Sequence, residues 1–300
     1  FRMEIANVTI EGNYTQNTAN GNKDYIIGNP GYFDGGGANY FQNTLTNTTL
    51  NGNYNNNTAD YGGANCFFEL INVAINGNYN HNKAQSSGGA NHVQKRLINT
   101  TLNGNYNNNT ADYGGANCFF ELINVAINGN YNHNKAQSSG GANYVQNSLI
   151  NTTINGNYNN NTARYGGANS INSILINTTI TGNYTLNTAQ QGSGGANRFY
   201  GLINVTINGN YNNNTAQQNG GANYFQNTLT NVNIIGNYIL NTAQNGGGGA
   251  NYFNQALTNT NMSGNYANNT AKVSGGANYF QNTLTNVNII GNYNHNTANG

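Results

Sequence analysis

The sequence predicts an all-β fold, a parallel β-solenoid (β-helix) of about 10–11 turns with 25–28 residues in each turn. Two motifs alternate along the 300 residues: Tyr-x-x-Asn-[Thr/Lys]-Ala occurs eleven times and Gly-Gly-Ala-Asn occurs ten times. After a first interval of 40 residues, the motif tyrosines follow one another at intervals of 25 to 28 residues. A constant period of this size is typical of proteins built by stacking one structural unit. The motif tyrosines are Tyr14, Tyr54, Tyr79, Tyr106, Tyr131, Tyr158, Tyr184, Tyr211, Tyr238, Tyr266 and Tyr293.

Each repeat contains three short segments that we predict to be strands, separated by three bends. In the unit that begins near residue 196, the middle segment has Leu202, Val205 and Ile207 at its apolar positions. Segments this short, interrupted by Asn and Gly, do not favour helices, and their β-branched and aromatic residues favour strands. A leucine-rich repeat has a similar period, but its pattern and its helix are missing. We therefore expect each strand to stack on its copy in the next turn.

The composition agrees with stacking. Asparagine makes up 76 of the 300 residues and glycine 40, while charged residues amount to 6%. Asparagine-rich disordered tracts have a similar composition. However, hydrophobic residues make up 36% of the chain and recur in phase with the motifs. A disordered tract has no reason to keep such a phase over 300 residues. In a solenoid, identical residues stack about 4.8 Å apart, so we expect ladders of asparagine and tyrosine, with asparagine and glycine at left-handed bends.

One period runs through the whole chain, which predicts a single solenoid domain over residues 1–300, alone or as part of a longer array. The first linker is lengthened by a loop insertion at about residues 20–34. We interpret this insertion either as a tolerated surface loop or as a loop for lateral contacts or ligand binding. Its candidate contact residues are Tyr25, Ile26, Ile27, Tyr32 and Phe33.

An internal duplication shows how the array has grown. Residues 47–91 are identical to residues 99–143, which corresponds to copying a block of 52 residues, or two turns. Growth of this kind suits a protein whose length is its functional property.

The acidic residues do not form the clusters that catalysis needs. All eight lie within residues 1–121. The duplication makes Asp112 a copy of Asp60 and Glu121 a copy of Glu69, and the two members of each pair are about 10 Å apart in the predicted stack. Lyases and glycosidases with a parallel β-helix fold need clustered carboxylates or a metal bound by them. We therefore expect no enzymatic activity, no catalytic residue, no metal site and no cofactor.

The cysteines and histidines follow the same repeat. Cys66 and Cys118 are copies two turns apart, beyond the roughly 7 Å that a disulfide spans. We expect free thiols, with cross-links between molecules as the alternative. His81, His133 and His295 replace asparagine two residues after the motif tyrosine, and we expect them to face solvent.

Asn-x-Thr sequons occur at that same position and are candidate N-glycosylation sites in a secreted protein. They are Asn56, Asn108, Asn160, Asn213 and Asn268.

The charge pattern limits the classes of partner. A net charge of +1 gives no reason to expect nucleic acid as a partner. No apolar run approaches the roughly 18 residues of a membrane span. Residues 1–121 hold all eight acids and five bases, whereas residues 122–300 hold four bases and no acid. A rod with ends of opposite sign weakly favours head-to-tail association.

Gly-Gly-Ala-x followed by aromatic-x-x-Asn-x-Ala resembles the GGA[I/L/V] and FxxN repeats of chlamydial polymorphic outer-membrane proteins. It is also similar to the repeats of adhesin-like surface proteins of methanogenic archaea and other microbes. This chain has Tyr where Phe is usual, and Asn where an aliphatic residue follows Gly-Gly-Ala. The resemblance covers the whole chain. It implies a right-handed parallel β-helix that is secreted or displayed at a cell surface, as an adhesin or a structural wall component.

These observations favour a structural protein of an extracellular filament or sheath, in which rods stack end to end. The alternative is a surface adhesin or carbohydrate-binding stalk, with cell-surface glycans or host surfaces as partners. Ice binding is a third hypothesis, because a threonine column that includes Thr58 and Thr110 predicts a regular face, but Lys83 and Lys135 interrupt it. A β-helix polysaccharide lyase or glycosidase is the least favoured.

Overall fold

The computed structural model describes residues 4–19 and 35–300, which form a parallel β-solenoid of about 10 turns with no helix in the described ranges. Each complete turn contributes strands to three columns, as the sequence predicts. The first column consists of Ile5–Ala6, Asn39–Thr46, Asn65–Ile71, Asn91–Ile98, Asn117–Phe119, Leu122–Ile123, Asn143–Val145, Leu149–Ile150, Asn169–Ile176, Asn197–Ile203, Asn223–Phe225, Leu229–Thr230, Asn251–Phe253 and Asn278–Phe280. The second consists of Thr9–Thr15, Thr49–Asn55, Ala74–Asn80, Thr101–Asn107, Ala126–Asn132, Thr153–Asn159, Thr179–Thr185, Thr206–Asn212, Asn233–Ile239, Leu257–Ala267 and Leu284–Asn294. The third consists of Thr58–Tyr61, Lys83–Ser87, Thr110–Tyr113, Lys135–Ser139, Thr162–Ala163, Thr188–Ala189, Thr215–Ala216, Thr242–Ala243, Thr270–Ala271 and Thr297–Ala298.

All strand pairs are parallel and join equivalent residues of successive turns. The first two columns form one sheet of 25 strands, and the third forms a sheet of 10 strands. Thr49–Asn55 pairs residue by residue with Ala74–Asn80. Thr9–Thr15 pairs in the same way with Thr49–Asn55, although they are 40 residues apart in the chain. The segments on either side of the proposed insertion therefore occupy adjacent turns. The candidate contact residues of that insertion lie outside the described residues.

The tyrosine ladder predicted from the motif forms part of the core. The eleven rings stack with centroids 4.7–4.9 Å apart and planes within 1–4° of parallel, so the ladder is roughly 50 Å long. Each ring lies over the glycine two residues before it. A Cβ atom at Gly104 would lie 2.9 Å from the Cε2 atom of Tyr106 and 2.8 Å from the carbonyl oxygen of Gly77. Glycine at this position therefore makes room for the ring.

Two asparagine ladders are buried beside the apolar core. One contains the asparagine of Gly-Gly-Ala-Asn, and its side-chain amides hydrogen-bond between adjacent turns at 2.9–3.0 Å. The other contains the asparagine before [Thr/Lys]-Ala. In it, Asn109 accepts from both the backbone N–H and the amide of Asn82, and donates to the carbonyl of Tyr79 and to Asn134. These bonds satisfy buried polar groups that would otherwise destabilise the fold.

Left-handed backbone conformations mark the corners between columns. The corner between the first and second columns has asparagine in every described turn, with φ of 47–59°. The corner between the second and third columns lies two residues after the ladder tyrosine, with φ of 50–57°. Asparagine, histidine, glutamine and leucine all occupy it. The prediction of asparagine at left-handed bends is thus confirmed, with exceptions at this second corner.

Candidate functional site

The solvent face of the second strand column carries rows of exposed asparagine amides. In the central row, which includes Asn53, Asn78 and Asn105, each amide donates to the preceding turn at 2.8–2.9 Å over ten successive steps. A shallow groove of about 920 Å³ runs beside this row from Glu11 to Asn183. A ladder bond uses only part of each amide, so donors and acceptors remain for solvent or a ligand. This face repeats nearly the same side chains from turn to turn.

A separate cleft lies on the side of the rod, where the third column meets the first column of the next turn. It has a volume of about 410 Å³. Two pairs of aromatic rings line it. Tyr61 contacts His92 with ring centroids 5.3 Å apart, and Tyr113 contacts Tyr144 at 5.1 Å. We call this surface the aromatic cleft. Its remaining lining residues are Ser86, Ser87, Val93, Gln94, Cys118, Phe119, Phe120 and Gln146.

The aromatic cleft does not follow from the two repeat motifs. His92 and Tyr144 follow the Gly-Gly-Ala-Asn motif directly, at a position that also holds Tyr224, Tyr252 and Tyr279 in later turns. The frequent aromatic residues at this outward-facing position are a sequence feature that could have revealed it. The clustering of the rings additionally depends on the linker tyrosines, which the repeat motifs do not include.

Cys118 lines this cleft, and Cys66 accepts a hydrogen bond from the lining residue Gln94. Within the described residues both are unpaired and buried. Burial raises the pKa of Cys66 and of Cys118 to about 12, so both thiols are protonated at neutral pH. Burial also lowers the pKa of His92 to about 4, and its Nδ1 atom has no hydrogen-bond partner among the described residues. The imidazole is therefore neutral at physiological pH.

The two copies of the duplicated glutamate differ in their partners. Burial opposes ionisation of Glu69, but hydrogen bonds from Arg96, Thr44 and Lys95 hold its pKa below the usual range. Its copy Glu121 instead accepts a hydrogen bond from Ser148 at 2.7 Å. Within residues 4–19 and 35–300, no three His, Cys, Asp or Glu side chains gather in a group able to bind a metal.

The candidate glycosylation residues all lie at the second corner. Asn56, Asn108, Asn160, Asn213 and Asn268 are exposed and have φ of 53–55°. The next residue in each sequon belongs to the buried asparagine ladder. The three histidines at this corner, His81, His133 and His295, are exposed as well, as predicted. Glycosylation itself stays a prediction.

The threonine column considered for ice binding begins the third strand column. Thr58 and Thr110 are only half-exposed there, and Lys83 occupies the same register as Thr58 and is exposed. This column is therefore less regular and less accessible than the asparagine face.

The turn at residues 278–298 has an open edge. Leu284 is 41% exposed and Tyr293 47%, whereas their equivalents one turn earlier, Leu257 and Tyr266, are at most 1% exposed. The residues on this edge have the same inward-facing types as those of every other turn. The edge is thus a cross-section of the core.

Comparisons give no relative by which to interpret these surfaces. Among the described residues, no helix is long and apolar enough to cross a membrane. The chain matches no protein-family model, no curated protein and no solved structure.

Proposed function

We propose that this protein is a non-enzymatic structural component of an extracellular or cell-surface filament or sheath, formed by end-to-end stacking of solenoid rods. The uniform register of the strand columns, in which each turn pairs with the next through equivalent residues, is the observation that carries the proposal. Parallel strands with unpaired backbone groups and exposed apolar residues favour pairing with another edge of the same geometry.

The opposite end of the described solenoid offers a matching edge. The strand Thr9–Thr15 has Ile10, Gly12 and Tyr14 at its inward positions, which correspond to Ile289, Gly291 and Tyr293 in the turn at the open edge. A second copy stacked on that edge would place its Tyr14 ring next to Tyr293 and continue the ladder. Head-to-tail contacts of this kind do not close on themselves and produce fibres.

The regularity of the stack also supports a structural role. Each turn adds the same ladder bonds and the same ring contacts, and the exact duplication of residues 47–91 adds length without changing the cross-section. The resemblance to adhesin-like repeat proteins supports the extracellular location.

Electron microscopy and sedimentation of the purified chain test this proposal. We expect filaments with an axial repeat of roughly 50 Å for each copy. The variant Ile289→Lys should remain monomeric, because its inward-facing ammonium group is tolerated at the open edge but would be buried without a partner after stacking. Ile290→Lys adds the same charge on the outward side, where Ile290 is 63% exposed, and should still assemble. Monomers of the unaltered chain at high concentration, or equal assembly of both variants, would contradict the proposal.

A further inference from the structure

We infer that the aromatic cleft binds an extended, neutral polysaccharide chain lying along the rod. This inference concerns the side of the solenoid and does not depend on end-to-end assembly. Ligand sites in proteins are concave, mostly aromatic or apolar, and contain a few polar groups that orient the ligand. The cleft has this composition, whereas the groove on the asparagine face is shallow and is lined by asparagine and glycine apart from Glu11.

The charge of the lining selects a neutral ligand. Among the described residues that line the cleft, none is Asp, Glu, Lys or Arg. His92 is neutral above about pH 4 because burial disfavours its charged form. A nucleic acid or another polyanion would need cations at the contact. A sugar chain needs none, since its hydroxyl groups are neutral donors and acceptors.

The lining also matches both surfaces of a pyranose ring. Tyr113 and Tyr144 bring two aromatic rings to the lining of the cleft, and such rings offer apolar area to the C–H groups of a sugar. Gln94, Gln146 and Ser86 bring amide and hydroxyl groups to the same cleft for the equatorial hydroxyls. The Nδ1 atom of His92 is a further hydrogen-bonding group, and it has no partner among the described residues. A hydrogen bond with a sugar hydroxyl would offset the cost of burying this atom.

The spacing favours an extended chain. Tyr61 and Tyr113 are copies two turns apart, and His92 and Tyr144 occupy equivalent positions two turns apart, so the two ring pairs are separated along the axis by about 10 Å. This separation is close to the length of two linked pyranose rings in a straight chain. A β-1,4-linked chain is straight enough to contact both pairs, whereas an α-1,4-linked chain curves away.

Two tyrosines of the cleft can be replaced by serine, a residue that adjacent turns already have at the same register positions. Tyr113 pairs in register with Ser87 and Ser139, and Tyr144 pairs with Ser170. The double variant Tyr113→Ser/Tyr144→Ser therefore places serine where neighbouring turns already have it. Tyr224→Ser is the matched control, since Tyr224 has the same position in its own turn but lies outside the cleft.

Isothermal titration calorimetry with cellohexaose and maltohexaose tests the inference, with all variants built on the Ile289→Lys background so that assembly does not interfere. We expect cellohexaose to bind at micromolar to millimolar concentration and maltohexaose at least tenfold more weakly. The double variant should lose at least tenfold in affinity for cellohexaose, while Tyr224→Ser should stay within twofold. The inference is overturned if neither oligosaccharide binds, or if the double variant binds as well as its background. Because assembly is measured separately, failure here leaves the filament proposal intact.

Discussion

Most ladder tyrosines have a buried hydroxyl group without a hydrogen-bond partner in the described structure; Tyr131 is one of them. At Tyr158 the nearest amide, that of Asn143, is 3.5 Å away. Burial raises the pKa of Tyr131 well above its usual range, with a smaller contribution from Tyr106 and Tyr158, so the hydroxyl stays protonated. The ring, rather than the hydroxyl, is therefore the part of this residue that stabilises the stack.

The variant Tyr131→Phe tests this division. It should be neutral or stabilise the fold by up to about 1 kcal/mol, because it removes a buried polar group that lacks a partner. Tyr131→Ala should lower the free energy of unfolding by about 3–5 kcal/mol, because it leaves a cavity between two stacked rings. Urea unfolding followed by circular dichroism measures both. A clear loss of stability in the Phe variant would mean that the hydroxyl has a partner such as a buried water.

Leucine at the second corner is a residue in an unfavourable backbone conformation. Leu240 has φ of 57° and is 49% exposed, so it has neither the short polar side chain that tolerates this conformation nor a compensating core position. Leu240→Asn introduces the residue that five other turns have there. We expect it to raise the free energy of unfolding by about 1 kcal/mol. Its neighbour Ile239 is exposed but has no positive φ, so Ile239→Asn should not stabilise the fold; equal stabilisation by both variants would contradict the explanation.

At the scale of the strand columns, burial distinguishes asparagine ladders that look alike in the sequence. Asn109 makes hydrogen bonds with Asn82, Tyr79 and Asn134 inside the solenoid. Asn105 belongs to the exposed central row, where each amide also contacts water. A ladder bond in the interior is costly to lose because the groups left behind cannot be solvated.

The substitutions Asn109→Ala and Asn105→Ala should therefore differ strongly. Asn109→Ala removes the acceptor of the Asn82 backbone N–H and the donor to the Tyr79 carbonyl, and it takes one hydrogen bond from each of the amides of Asn82 and Asn134. We expect a loss of at least about 3 kcal/mol. Asn105→Ala should cost less than about 1 kcal/mol, since water replaces its ladder bonds. Thermal unfolding of the two variants, compared with the unaltered chain, gives the difference. Similar losses in both would show that burial does not control ladder strength.

The strand columns also show what sequence can and cannot predict. The constant spacing from the Gly-Gly-Ala-Asn motif to the next ladder tyrosine determines the first two columns, so the tyrosine ladder and both buried asparagine ladders followed from phase alone. The aromatic cleft did not. Tyr61 and Tyr113 lie in the linkers of variable length, and they contact His92 and Tyr144, each 31 residues further along the chain. That contact depends on the path of the linker backbone, which the motif spacing does not determine.

For the whole molecule, the stack behaves as a one-dimensional array in which each turn contacts only its neighbours. The stability of each interior turn should then depend on its contacts with the adjacent turns and little on the total number of turns. The duplication allows this to be tested without creating any foreign sequence. Asn91 and Asn143 end identical stretches, so deletion of residues 92–143 joins Asn91 to Tyr144 in a fully native context.

This deletion removes 52 residues, or two turns, and should leave a folded solenoid shorter by about 10 Å. Every strand at the junction regains a partner in register, so the β-sheet circular dichroism for each residue should be unchanged. Small-angle X-ray scattering of the Ile289→Lys variant measures the expected decrease in maximum dimension. Deletion of residues 92–130 is the control, because it removes a turn and a half. It joins Asn91 to Tyr131, which brings this ladder tyrosine into the register of the first column. We expect this variant to be unfolded or aggregated. If the variant with the in-phase deletion also unfolds, or if the variant with the out-of-phase deletion folds equally well, turns are not interchangeable units. The explanation that the rod grows by adding copies of a turn would then be wrong.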